Sequence, residues 1–185
     1  MRHALAGRIL ALHSAAPKSH PPSPILIITM ILPRYRIDAS TIRGAGKGLF
    51  LEEDVYAGRI ITAPDAIEHT YRLDELLVKR DLLYASARWF EDRYTLSPEW
   101  PDECYLNHSF DPTGLWHLGF VFALHDLPAG TEVTVDYRHL LPPGQEEDFI
   151  DTATGEKIVG LAWEESLMTT TRALARVLDS ASQGD

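Results

Sequence analysis

A mainly β fold with α additions is predicted by this sequence of 185 residues. Three observations lead there: short apolar bursts punctuated by glycine, turn-forming tracts between them, and only two stretches whose apolar residues recur at helical spacing. The length suits one domain with its own core. Hydrophobic residues at 45% and charged residues at 24% are ordinary for a globular chain and argue against wholesale disorder.

In chain order, residues 1–33 read as a disordered leader or a misassigned N-terminal extension. They lack acids, and Pro17-Lys18-Ser19-His20-Pro21-Pro22-Ser23-Pro24 cannot hold a helix. A short secretory signal or an acid-free organelle transit peptide are the rival readings. The apolar, β-branched run Ile25–Leu32 reads as a strand or an apolar patch and is far shorter than the roughly 20 residues of a membrane span. Strands are expected at Tyr35–Ile37, Gly48–Leu51, Arg59–Thr62, Leu118–Leu124 and Glu132–Tyr137. Asp126-Leu127-Pro128-Ala129-Gly130-Thr131 is a turn, with proline presetting φ and glycine taking a left-handed conformation. Helices are expected at Leu73–Trp89, as an insert, and at Trp163–Leu178, with a hairpin around Thr154-Gly155 before the second. This divides the chain into a leader (1–33), a central domain (34–145) and a C-terminal hairpin and helix (146–185).

The net charge of −10 is unevenly spread. Residues 1–37 carry five basic side chains (Arg2, Arg8, Lys18, Arg34, Arg36) and no acid, which leaves 12 basic and 27 acidic residues beyond them. Such a body repels nucleic acid and attracts Lys-rich partners, besides keeping the chain in solution. The single cysteine, Cys104, excludes an internal disulfide framework and a multi-cysteine zinc site, which fits a reducing compartment. The eight histidines form no H-E-x-x-H or H-x-x-E-H pattern, so no metal is expected.

Three segments carry chemistry. Arg43-Gly44-Ala45-Gly46-Lys47-Gly48-Leu49-Phe50 lets a ligand approach the backbone, yet it is not a phosphate loop, because Gly48 follows Lys47 where Ser or Thr would be needed. Alone it reads as a glycine-rich hairpin turn. Tyr105-Leu106-Asn107-His108-Ser109-Phe110-Asp111-Pro112 is the second segment, and Gly130-Thr131-Glu132-Val133-Thr134-Val135-Asp136-Tyr137 the third.

In order and spacing these segments resemble the signatures of the SET-domain lysine methyltransferases: a G-x-G near the first strands, an N-H-S followed by proline, and a G-E-E-L-T-x-D-Y ending in tyrosine. The resemblance covers roughly Tyr35 to Leu141. It implies a β-clip-like fold of several small twisted sheets with a C-terminal pseudo-knot, a helical insert and a C-terminal helix. It also implies methyl transfer from S-adenosylmethionine to a lysine of a protein substrate with a basic tail. Neither nucleic acid nor membrane is an expected partner, and a cytoplasmic location follows, or a nuclear one in a eukaryote.

Residue by residue, the resemblance implies that Ala45, Gly46, Lys47 and Gly48 present backbone groups to the cofactor. Asn107 and His108 would hold its adenine and amino group, Asn107 through an amide that supplies both donor and acceptor. Tyr137 would be the catalytic tyrosine. Trp116 and Tyr105 would line the substrate channel, whereas Phe120 and Phe122, on one strand face, read as packing. No zinc cluster flanks the segments, so the C-terminal helix would cover the cofactor, with Trp163 stacking on adenine; Trp163 packing on the protein's own core is the alternative. Thr113-Gly114 after Pro112, and Thr131 for the first glutamate of the third signature, depart from the pattern without removing chemistry. Two rival functions stand beside the enzyme: a catalytically inactive binding module of the same fold, and an unrelated β-clip domain, which would not need N-H-S.

Overall fold

The computed structural model describes residues 31–64, 70–78, 86–96 and 100–182. The expected leader lies outside them up to residue 30, as do residues 25–30 of the apolar run. Ile31, assigned to the leader from sequence, is 2% exposed and bridges Thr62, while the Leu32 N–H donates to the Ile61 carbonyl at 2.8 Å, so the described fold is already under way there.

The architecture is mainly β, with several small sheets and a C-terminal helix. The central sheet is built from β1 (Tyr35–Ala39), β2 (Lys47–Leu51), β10 (Glu132–Val135) and β7 (Asn107–His108), in the order β1-β2-β10-β7. Antiparallel β1 and β2 pair Tyr35 with Leu51 through Ala39 with Lys47. Strand β10 runs antiparallel to β2 but parallel to β7. Every residue of β10 is buried, because both its edges are paired and both its faces are covered.

A second sheet, in the order β3-β9-β8, contains β3 (Ile60–Thr62), β8 (Gly114–His117) and β9 (Phe120–Ala123). The sequence suggests one continuous strand through Leu118–Leu124; instead Leu118 (φ 53°) and Gly119 (φ 84°) make a tight turn, and β8 and β9 form a hairpin. Left-handed φ at two successive residues is the turn geometry that matches the twist of a hairpin. The two sheets close on a core of Leu49, Leu51, Ile61, Val121, Ala123, Val133 and Val135, each fully buried.

The insert is shorter in helix than its spacing suggests. Helix α1 covers only Leu73–Val78, residues 79–85 lie outside the described set, and Ser86–Phe90 is a strand, β5. That strand pairs with β6 (Arg93–Leu96), which pairs with β4 (Tyr71–Arg72). Arg88 and Trp89 therefore sit on a sheet. Cross-strand pairing of Arg88 with Tyr94, both essentially buried, overrides the local helical pattern.

Beyond the central sheet, β11 (Glu146–Ile150) and β12 (Lys157–Val159) form a hairpin with Thr154-Gly155 in its turn, and α2 runs from Trp163 to Ala181. The buried stripe of α2 includes Ser166, Thr170 and Val177, so two hydroxyls face inward, that of Thr170 against β8. Among the described residues no helix is long and apolar enough to cross a membrane, and no cluster of three or more His, Cys, Asp or Glu could hold a metal ion.

Candidate functional site

Parallel pairing of β7 with β10 sets Asn107 opposite Thr134 and His108 opposite Val135. Since β10 also pairs with β2, the glycine-rich, Asn-His and tyrosine-ending segments occupy three adjacent strands or their ends. Residues 107 and 134 are distant in the chain, so the sheet, not the sequence, makes them neighbours.

Asn107 sits at the mouth of the glycine loop. Its Nδ2 donates to the Lys47 carbonyl at 2.9 Å, to Glu132 Oε1 at 2.9 Å and to Ser40 Oγ at 3.2 Å. Both amide hydrogens are thereby committed to the protein, and only Oδ1 is left to meet a ligand. The amide donor that the resemblance assigns to a ligand is thus engaged within the protein.

Glu132 is the hub of this corner and escapes the sequence reading, which weighs only its neighbour Thr131. It is 7% exposed, and its carboxylate accepts from Ser40 Oγ at 2.6 Å, the Thr41 N–H at 2.8 Å, Thr41 Oγ1 and Asn107. Burial pushes its pKa up, but these hydrogen bonds more than offset it and hold the carboxyl below its ordinary value. An acid inside the otherwise alternating run Glu132-Val133-Thr134-Val135 is the signal that could have found it, because a buried carboxylate demands donors. Gly48 makes room: a Cβ there would lie 2.2 Å from Glu132 Oε1 and 3.1 Å from Asn107 Nδ2. On the other side of the loop, Ala45, Gly46 and Lys47 are exposed, and Gly44 and Gly46 adopt φ of 86° and 83° with open space beside them, while the Gly46 carbonyl accepts the Ser40 N–H at 3.0 Å and the Ala45 N–H donates to the Ile42 carbonyl at 3.2 Å.

His108 is buried, and its ring serves the protein. Nδ1 accepts the Tyr137 N–H at 3.1 Å, and the ring meets Phe110 edge-on with centroids 4.6 Å apart. Burial holds the imidazole below its usual pKa against the pull of Asp136 and Asp151. Its Nε2 has no hydrogen-bond partner among the described residues.

Tyr137 opens a 3-10 turn over Tyr137–His139 whose start is capped by the Asp136 carboxylate. Its hydroxyl donates to the Leu106 carbonyl at 2.7 Å, and the Phe149 ring stands edge-on with centroids 6.5 Å apart. Burial, with Glu147 and Cys104 nearby, drives the phenol pKa well above its usual range. The hydroxyl is thus neutral at physiological pH, spends its proton on Leu106, and keeps lone pairs to accept. Tyr105 ends the preceding 3-10 turn, Asp102–Tyr105, and packs half-buried against the core.

The two tryptophans singled out from sequence come together elsewhere. Trp116 and Trp163 line one shallow cleft with Trp89 and His139, and neither the glycine loop nor Asn107 lines it. Here His117 Nδ1 lies 2.8 Å from Thr170 Oγ1, and His139 Nδ1 lies 2.9 Å from Ser166 Oγ, fastening α2 to the domain. Sequence reasoning also missed Arg88. This guanidinium, 1% exposed in residue terms, donates to the carbonyls of His139 (3.3 Å), Arg138 (3.4 Å) and Leu161 (2.9 Å), and so clamps the turn that begins at Tyr137.

Compared with known proteins, the chain matches no family model and no curated protein.

Proposed function

We propose that the chain is a SET-domain protein-lysine methyltransferase, its pseudo-knot formed where the Asn107 segment meets the strand leading to Tyr137. The observation that carries this reading is the hydrogen bond from the Tyr137 hydroxyl to the carbonyl of Leu106, the residue just before Asn107, which is itself bonded to Lys47. Three segments that resemble one family's signatures thus meet at one place.

The residues fit S-adenosylmethionine: the exposed stretch Ala45-Gly46-Lys47 has open space beside Gly46, and the spare Oδ1 of Asn107 offers an acceptor for an ammonium. That cofactor, when bound, supplies a methyl group on a positively charged sulfur. The remaining chemistry falls to the protein. A lysine must lose its proton before it can attack, and with an ordinary pKa of about 10.4 this costs roughly 4.6 kcal/mol at pH 7. Neutral Tyr137 is no base for this; its lone pairs and the Leu106 carbonyl accept from the amine and aim its free pair. Phe149, edge-on to the tyrosine ring, flanks the approach. The acidic body favours a basic, lysine-containing segment as substrate.

Calorimetric titration of the full chain with S-adenosylmethionine, followed by radiolabel transfer to a basic-protein extract, tests the proposal. Saturable binding with transfer that disappears in Tyr137→Phe is the expected result. Binding without transfer to any extract would mark an inactive module of this fold, and absence of binding would overturn the reading.

A further inference from the structure

Asp151 follows β11 and is 6% exposed. Its Oδ1 accepts from the N–H groups of Ala153 (3.1 Å) and Thr154 (2.7 Å), which shapes the hairpin turn. Its Oδ2 stands 3.9 Å from His108 Nε2, a buried nitrogen without a hydrogen-bond partner among the described residues. Across the same ring, Nδ1 accepts the Tyr137 N–H. A neutral imidazole that accepts at Nδ1 must carry its proton at Nε2.

The charges around the ring decide between tautomers. Asp136 Oδ1 lies 4.0 Å from Nδ1 and would by itself draw the proton there, which would set two donors, Nδ1–H and the Tyr137 N–H, against each other. Arg138 opposes that pull: its guanidinium grips the Asp136 carboxylate through Nε at 3.0 and 2.9 Å and through Nη2 at 2.5 Å, and its backbone N–H adds a fourth bond. The Val135 carbonyl also acts on the ring as an acceptor, and the Phe110 and Tyr137 rings that lie against it carry no charge. Asp151 is thus the carboxylate that faces the ring without an arginine bonded to it.

We infer that Asp151 is a positioning residue for Tyr137, acting through His108: its carboxylate selects the Nε2–H tautomer, which leaves Nδ1 free to hold the tyrosine backbone. The inference rests on the role proposed for Tyr137 above. It makes the C-terminal hairpin part of the machinery, since loss of Asp151 loosens the tyrosine backbone and with it the hydroxyl's bond to Leu106.

The test is ring-nitrogen NMR of His108 in the full chain, with Asp151→Asn as the variant. Asparagine retains an oxygen for the Ala153 and Thr154 N–H groups but removes the charge. Expected are an Nε2–H ring in the native protein, a mixed or Nδ1–H ring in Asp151→Asn with a shifted Tyr137 amide and unmoved Thr154 amide, and a roughly tenfold fall in kcat with the KM for cofactor unchanged. An Nδ1–H ring in the native protein overturns the inference even where the variant fails to fold. An unmoved ring and Tyr137 amide in a folded variant also overturns it. A tautomer shift in a protein without transfer activity overturns the enzyme reading alone and leaves the coupling standing.

Discussion

The Tyr137 hydroxyl donates to the carbonyl of Leu106 at 2.7 Å, tying a residue two past the end of β10 to the one that precedes β7. Tyr137→Phe deletes this single bond and leaves the ring's packing intact. A stability loss of about 1 kcal/mol is expected, with cofactor binding retained and transfer reduced at least ~100-fold. Thermal melts, calorimetry and radiolabel transfer on one preparation check all three.

Glu132→Gln should weaken the corner shared by the glycine loop and Asn107. Glutamine cannot accept all the bonds the carboxylate accepts, so the expected cost is about 1–3 kcal/mol. The pH dependence has a definite sign. The folded carboxyl titrates below its ordinary 4.5, so its stabilisation is complete above about that value and fades as pH falls through the folded pKa. Urea melts between neutral pH and pH 3 should show a shallower acid decline in Glu132→Gln than in the native chain.

Arg88→Leu removes a donor from the carbonyls of His139 and Leu161 and one of the two donors to Arg138, whose carbonyl still accepts the Leu161 N–H. An apolar side chain cannot satisfy these acceptors, and a loss of about 2 kcal/mol or more is expected. Arg88→Lys should rescue little, because an ammonium is not a planar fork that spans separate carbonyls. Chemical denaturation of both variants checks the ranking.

Acidification should release α2. Burial holds His117 and His139 below their ordinary 6.5, with Arg138, Arg88 and His117 reinforcing this at His139 and Asp136 opposing it. Both rings are therefore neutral in the fold, and their contribution is present above about pH 6.5 and lost as pH falls through the depressed folded values. Tryptophan fluorescence should report a transition below pH 6.5 as Trp163 and Trp116 change surroundings, and His139→Gln should flatten it.

The strands around the site were legible because they are short, apolar and bounded by glycine, as at Lys47–Leu51 and Glu132–Val135. Trp163 was legible as the start of a helix by its spacing. What was not legible arises from partners distant in sequence. Arg88 lies in a helical pattern yet joins a strand because Tyr94 and three remote carbonyls receive it. The commitment of Asn107's donors depends on Ser40, Lys47 and Glu132, none of which local pattern connects to it. The grouping of Trp116 with Trp163 follows from α2 docking on β8, a packing choice that helical periodicity leaves open.

Strand β10 lies between β2 and β7 and is the last of the central sheet to be synthesised. During translation, β1 and β2 emerge first, and for some 80 residues of synthesis the inner edge of β2 has no partner. The nascent chain must therefore carry an open apolar edge until Glu132–Val135 clears the ribosome, a window in which chaperone capture or strand-swapped aggregation competes with folding. Ribosome-stalled chains ending before Glu132 would lack the strand that joins β2 to β7, so the central sheet closes late and all at once rather than growing with length.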